Sequence, residues 1–207
     1  MELNLQTATV PLPAEVRAFL DEADLRIERF QIDRHVPGFV PSDFTRTYGV
    51  LRAITDGGLA AGNLFCEWGS GFGVVACLAA MQDFDAHGIE IDEGLVEAAR
   101  QLAADFDVPV EFVHGSFIPA GTDVILDANN GFCWLVTEER GTPDEMDLGP
   151  DDFNVIFAYP WPDEEHVIEE LFDRHASSGA ILVTYRGEEQ LRVQRKVGRT
   201  SRRRARR

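Results

Sequence analysis

The stretch Leu64 to Asp92, LFCEWGSGFGVVACLAAMQDFDAHGIEID, constrains this chain more than any other. A short apolar run (Leu64, Phe65, Cys66) ends at an acid, Glu67. A turn rich in glycine follows (Gly69, Ser70, Gly71, Phe72, Gly73), then a helix of small residues from Val74 to Met81. A second strand, His87 to Ile91, brings in Glu90 and Asp92. Strand, glycine turn, helix, strand, acid is the order by which a parallel half-sheet holds an adenosine-containing cofactor.

The glycine spacing narrows the cofactor. Dinucleotide sites use G-x-G-x-x-G or -A, but the third of those positions is Val74, and the last glycine arrives one residue early at Gly73. The carboxylate of Glu67 beside the turn repels a pyrophosphate and attracts a ligand carrying ammonium and sulfonium charges. On these residues the sequence resembles the class I, seven-strand, Rossmann-like methyltransferases that use S-adenosylmethionine (SAM). The motif acid-x-Gly-x-Gly-x-Gly is matched by Glu67, Gly69, Gly71 and Gly73, and the acid ending the second strand by Glu90. The resemblance implies that Glu67 faces the methionine amino group, and that Gly69, Ser70, Gly71 and Gly73 admit the cofactor to the backbone. Glu90 takes the ribose hydroxyls, with Ile91, Ser116 and Phe117 beside the nucleoside. The competing reading of the turn is purely structural, since glycine serves any tight turn.

The fold expected is α/β: a three-layer αβα, mostly parallel sheet with helices at its N-terminal side. Residues 1–58 form an N-terminal arm and helices over the cofactor, 59–186 the SAM-binding domain with 118–150 inserted, and 187–207 a basic tail expected to be disordered. The pattern predicts helices over Pro13–Glu22, from a cap at Ser42 or Asp43 to Ile54, over Gly94–Asp105 and over Asp163–His175. Leu25, Ile27, Phe30 and Ile32 suit a separate short segment, helical or extended. Strands are expected at Val110–His114, Val155–Ala158 and Ala180–Tyr185. Residues 118–150 carry a short helix near Asp123–Asn129 and a strand or hairpin at Phe132–Val136. After Tyr185 only Gln190–Val197 offers another strand, so the sheet stops at five or six. Its last edge then needs cover from an N-terminal strand or a second subunit, so a homodimer is one arrangement.

The segment AYPWP after the fourth strand is the candidate reaction face. It resembles the N-P-P-Y or D-P-P-Y loop of amino-group methyltransferases, with Tyr159 at the Asn/Asp position and Trp161 between the prolines. Tyr159 is the expected catalytic-face residue, positioning the acceptor; a rigid turn with Trp161 in the core is the alternative. FVPSDFTRTYGVLRAI also resembles short non-SET protein-lysine methyltransferases and their bacterial relatives, in which such a segment folds over the cofactor. That implies covering roles for Pro41, Ser42, Thr45 and Tyr48.

Three cysteines (Cys66, Cys77, Cys133) form no C-x-x-C pair and five histidines show no ligand spacing, which predicts a reducing cytoplasm and no metal site. No apolar run is long enough to span a membrane, and no basic-then-apolar leader begins the chain. The net charge of −17 hides an asymmetry: from Arg186 to Arg207 ten Arg and Lys face two Glu. Residues 1–185 therefore hold nine bases against 34 acids, a body that suits a basic partner and repels nucleic acid. The tail lacks aromatics, so a solvated end is favoured over a nucleic-acid arm. The reading is a SAM-dependent methyltransferase acting on an amine or other nucleophile, with a protein lysine as the candidate acceptor. The alternatives are a non-catalytic SAM- or nucleotide-binding partner protein and, less well matched, an NAD-dependent oxidoreductase.

Overall fold

The computed structural model describes residues 1–5, 11–34, 36, 39–119, 122, 146–161, 164–186 and 190–198. The helix and hairpin expected within 123–145 and the tail from 199 onward lie outside the described residues.

Six strands form one sheet: β1 (Leu64–Trp68), β2 (Asp85–Glu90), β3 (Val110–His114), β4 (Val155–Ala158), β5 (Ile181–Arg186) and β6 (Gln190–Arg195). Their order is β3-β2-β1-β4-β5-β6. The first five are parallel and β6 is antiparallel to β5. This is the expected Rossmann-like α/β architecture. The chain runs from β1 out through β2 to β3, then crosses back to β4 on the other side of β1, which creates a topological switch point where open α/β sheets bind ligands.

Alternation along the strands builds two cores. Phe65 of β1, Val155 and Phe157 of β4 and Val183 of β5 face one side, with α1 (Ala14–Asp33), α2 (Phe44–Asp56), α3 (Val74–Ala80) and α4 (Glu93–Asp105) over them. Cys66, Trp68, Ile156, Ala158 and Leu182 face the other, covered by α5 (Glu165–His175). The period of two also fixes Glu67: it points to the side of Phe65, toward α3. Burial pushes the Cys66 and Cys77 thiols up, so both are inert packing groups.

Two expectations are corrected. The helix expected to end at Glu22 runs on to Asp33, because Val16, Phe19, Leu20, Ala23 and Ile27 form one buried stripe at helical spacing. Pro13 stands just before it, as its N-cap. Leu25 and Ile32, which had suggested a separate segment, are exposed on the outer face. Of the two capping candidates, Asp43 caps α2, its carboxylate accepting the Arg46 N–H at 3.0 Å.

The exposed edge of β6 is partly covered from within the chain. The Leu3 N–H donates to Val193 O and the Arg195 N–H to Met1 O, each at 2.8 Å. No helix among the described residues is long and apolar enough to cross a membrane.

Candidate cofactor and acceptor site

The turn after β1 is held by β2. The N–H groups of Gly69 and Ser70 both donate to Ile89 O at 2.9 Å. Gly73 is left-handed (φ +67°) and caps α3. A Cβ there would lie 2.3 Å from the Phe112 ring and 3.0 Å from Ala99 Cβ. The last glycine of the motif thus lets α3 close against β3 and α4, the task that the third glycine of a dinucleotide site performs one position later.

Two buried acids flank this turn. Glu67 Oε2 accepts the Ala76 N–H, in the first turn of α3, at 2.8 Å. Burial lifts its carboxyl well above the usual range; the Ala76 bond opposes this and repulsion by Glu90 adds to it. Glu90 ends β2. Its Oε2 accepts the Gly71 N–H at 2.8 Å, and its Oε1 accepts Ile91 and Asp92 N–H at 2.8 and 2.9 Å. Burial again raises the pKa, against those three donors. The ribose role expected for Glu90 therefore shares a carboxylate already used by three backbone groups, with acceptor capacity remaining on Oε2.

These residues open onto a cavity of about 490 Å³ across the switch point, a size within the usual range for small-molecule sites. Every residue of the expected set except Gly73 borders it: Glu67, Gly69, Ser70, Gly71, Glu90, Ile91, Ser116, Phe117 and Tyr159. Gly73 acts behind the wall, in packing. Ser70 Oγ is buried without a hydrogen-bond partner and packs toward Gly88, where an added Cβ would lie 2.9 Å from it. Ser116 Oγ accepts the Ile118 N–H at 3.2 Å, so it shapes its turn and keeps its proton to donate. Phe117 stacks on Trp68, centroids 5.3 Å apart and planes 6° apart. Ile91 is 43% exposed at the rim.

The segment before α2 also borders the cavity, through Phe39, Val40, Pro41, Ser42 and Phe44. Phe39 stacks on Phe72 of the turn. Of the expected covering residues, Pro41 and Ser42 are in the wall; Thr45 is exposed outside it and Tyr48 is core. On the β4 side stand Tyr159, Pro160, Trp161 and Glu164. The Tyr159 ring leans on Tyr185 at 4.6 Å, and Tyr185 Oη donates to Asp43 O at 3.0 Å, joining this loop to the cap of α2.

Phe39 and Phe44 belong to the segment expected over the cofactor but were not named for a covering role, and Glu164 was given no role. Phe44 reads as one of the residues on the buried face of the second helix, and an acid opening a helix is a favourable N-terminal charge. Only the folded arrangement brings Glu164 to the cavity.

No protein-family model matches this sequence, and no curated protein does. Solved structures do share the fold. An RNA methyltransferase from Salinibacter ruber, in complex with S-adenosylhomocysteine (SAH), aligns over 76% of this chain and 92% of its own, with a TM-score of 0.51 at 20% identity. An O-methyltransferase from Bacillus cereus, also with SAH, aligns over 84% and 67%, with a TM-score of 0.52 at 14% identity. A methyltransferase from Geobacter sulfurreducens aligns over 86% and 80%, with a TM-score of 0.50 at 16% identity. At such identities the likeness is one of architecture: this chain has the Rossmann-like fold of class I SAM-dependent methyltransferases.

Proposed function

We propose that this chain, folded as those methyltransferases are, binds SAM in the cavity at its switch point and transfers the methyl group to an amine or other nucleophile. A protein lysine is the candidate acceptor. The observation that carries this reading is the chemistry of the wall. Glu67 and Glu90 stand on either side of the glycine turn, and no Lys, Arg or His is among the described residues that border the cavity. Such a site suits a cationic adenosyl ligand and disfavours a pyrophosphate.

The residues present fit that ligand. Glu67 holds the α3 N-terminus with one oxygen and would offer the other to the methionine ammonium. Glu90 would take a ribose hydroxyl on the acceptor capacity left on its carboxylate. Ile91 and Phe117 would present apolar surface to the adenine, with the Ser116 hydroxyl free to donate. Phe39, Pro41 and Ser42, which border the cavity, would cover the cofactor and shield it from water. Bound there, SAM would supply an electrophilic sulfonium methyl. Holding the acceptor against that methyl supplies much of the acceleration, and Tyr159, backed by Tyr185, positions it.

Incubation with methyl-labelled SAM and a cell extract or lysine-containing peptides tests the activity. Label in protein that resists nuclease supports the reading. Binding of SAM with no transfer to any fraction would favour the non-catalytic alternative.

A further inference from the structure

The alternation of β5 turns Ile181, Val183 and Tyr185 to the side covered by α1 to α4. Tyr185 stands near the carboxyl end of the strand, where the sheet opens onto the cavity. Its ring packs against Tyr159 at 4.6 Å and meets Phe157 edge-on at 6.5 Å. Only 5% of the residue is exposed, and a phenol so placed needs a partner for its proton. That partner lies outside the sheet. Tyr185 Oη donates to Asp43 O at 3.0 Å, with Thr47 Oγ1 at 3.5 Å. Burial raises the phenol pKa above its ordinary value, so Tyr185 keeps the proton it donates.

The start of α2 does not account for this bond. Asp43 O already accepts the Thr47 N–H at 3.0 Å and the Thr47 hydroxyl at 2.9 Å, and the Asp43 carboxylate accepts the Arg46 N–H. The first turn is therefore capped from within. What Tyr185 adds is a tie between β5 and the residue that follows Pro41 and Ser42, both in the cavity wall. At the other end of the same segment, Phe39 stacks on Phe72 of the glycine turn at 5.8 Å. The segment thus runs from the glycine turn to β5, with a ring contact at one end and a hydrogen bond at the other. Rings can slide over one another. Lifting the second end breaks the hydrogen bond of a buried side chain.

We infer that Tyr185 is a positioning residue for the cofactor: its hydroxyl latches the 39–43 segment onto β5 and so slows release of SAM and SAH from beneath it. This rests on the reading of the cavity as the cofactor site. Tyr185 acts through the segment and not by contact, since it does not itself border the cavity.

The test is the release of labelled SAH from the full chain on dilution, for wild type, Tyr185→Phe and Thr47→Val. Tyr185→Phe keeps the ring against Tyr159 and deletes only the donor. Its SAH dissociation rate should rise about fivefold, the worth of one hydrogen bond, with association no slower than in wild type. Thr47→Val removes a hydroxyl from the same carbonyl but within α2, so its release rate should stay within about twofold of wild type. A Tyr185→Phe dissociation rate within about twofold of wild type would overturn the inference. So would equal acceleration by both variants, which would mean that a loosened α2 start, not a lost latch, frees the ligand. Either result leaves the cofactor reading standing. Failure of wild type to bind SAH would overturn both.

Discussion

The Glu90 carboxylate accepts the Gly71 N–H at 2.8 Å, so the acid ending β2 also fastens the glycine turn that ends β1. Recognition and local stability meet in one side chain. Glu90→Gln keeps the shape, but turns an amide NH₂ toward backbone donors and removes the charge. SAH affinity should fall by about 1.5–3 kcal/mol for each charge-assisted bond lost, and the melting temperature of the ligand-free protein should fall with it. Calorimetry and a thermal melt on one sample check this. A loss of affinity without any loss of stability would separate the two roles.

Gly73→Ala tests the packing role of the last motif glycine. The added methyl meets the Phe112 ring at a position with φ +67°. Left-handed strain and overpacking should together cost about 2–4 kcal/mol. Urea unfolding measures the loss. In Gly73→Ala/Phe112→Ala the two costs should sum to less than their separate values, because the smaller side chain vacates the space that the new methyl needs.

The buried acids make the ligand-free protein sensitive to pH. Folding raises the Glu67 carboxyl well above its ordinary value, chiefly by burial, and raises Glu90 as well. The native state then binds more protons than the unfolded state between the unfolded and folded values, so stability falls as pH rises through that window. Glu67→Gln keeps an acceptor for the Ala76 N–H and removes the titration. Its stability should decline less steeply than that of wild type from about pH 4.5 upward. Denaturation midpoints across pH check this; parallel profiles would show that Glu67 ionises as it does in water.

What the sequence made legible was local. From Leu64 to Asp92 the turn residues, the two strands and the helix lie within one continuous stretch, and each announces itself through spacing or a glycine. The extent of α1 was hidden, because exposed Leu25 and Ile32 interrupt the apparent pattern while the buried stripe continues through Ile27. The cavity wall was half legible. Glu67 and Glu90 sit next to the motif, and Phe39 and Phe44 lie in the segment the resemblance placed over the cofactor, whereas Glu164 reaches the cavity from a distant segment and chain spacing carries no trace of that. Ser116 was ambiguous for a chemical reason: one hydroxyl can shape its turn through Ile118 and still donate to a ligand.

The central claim is that the Glu67–Gly73 turn and Glu90 form a SAM site. Calorimetric titration of the purified chain with SAM and SAH, with NAD in parallel, tests it most directly. The account predicts micromolar binding of both adenosyl ligands and none of NAD. A folded sample that binds neither adenosyl ligand would contradict it, and would leave the glycine turn as packing alone.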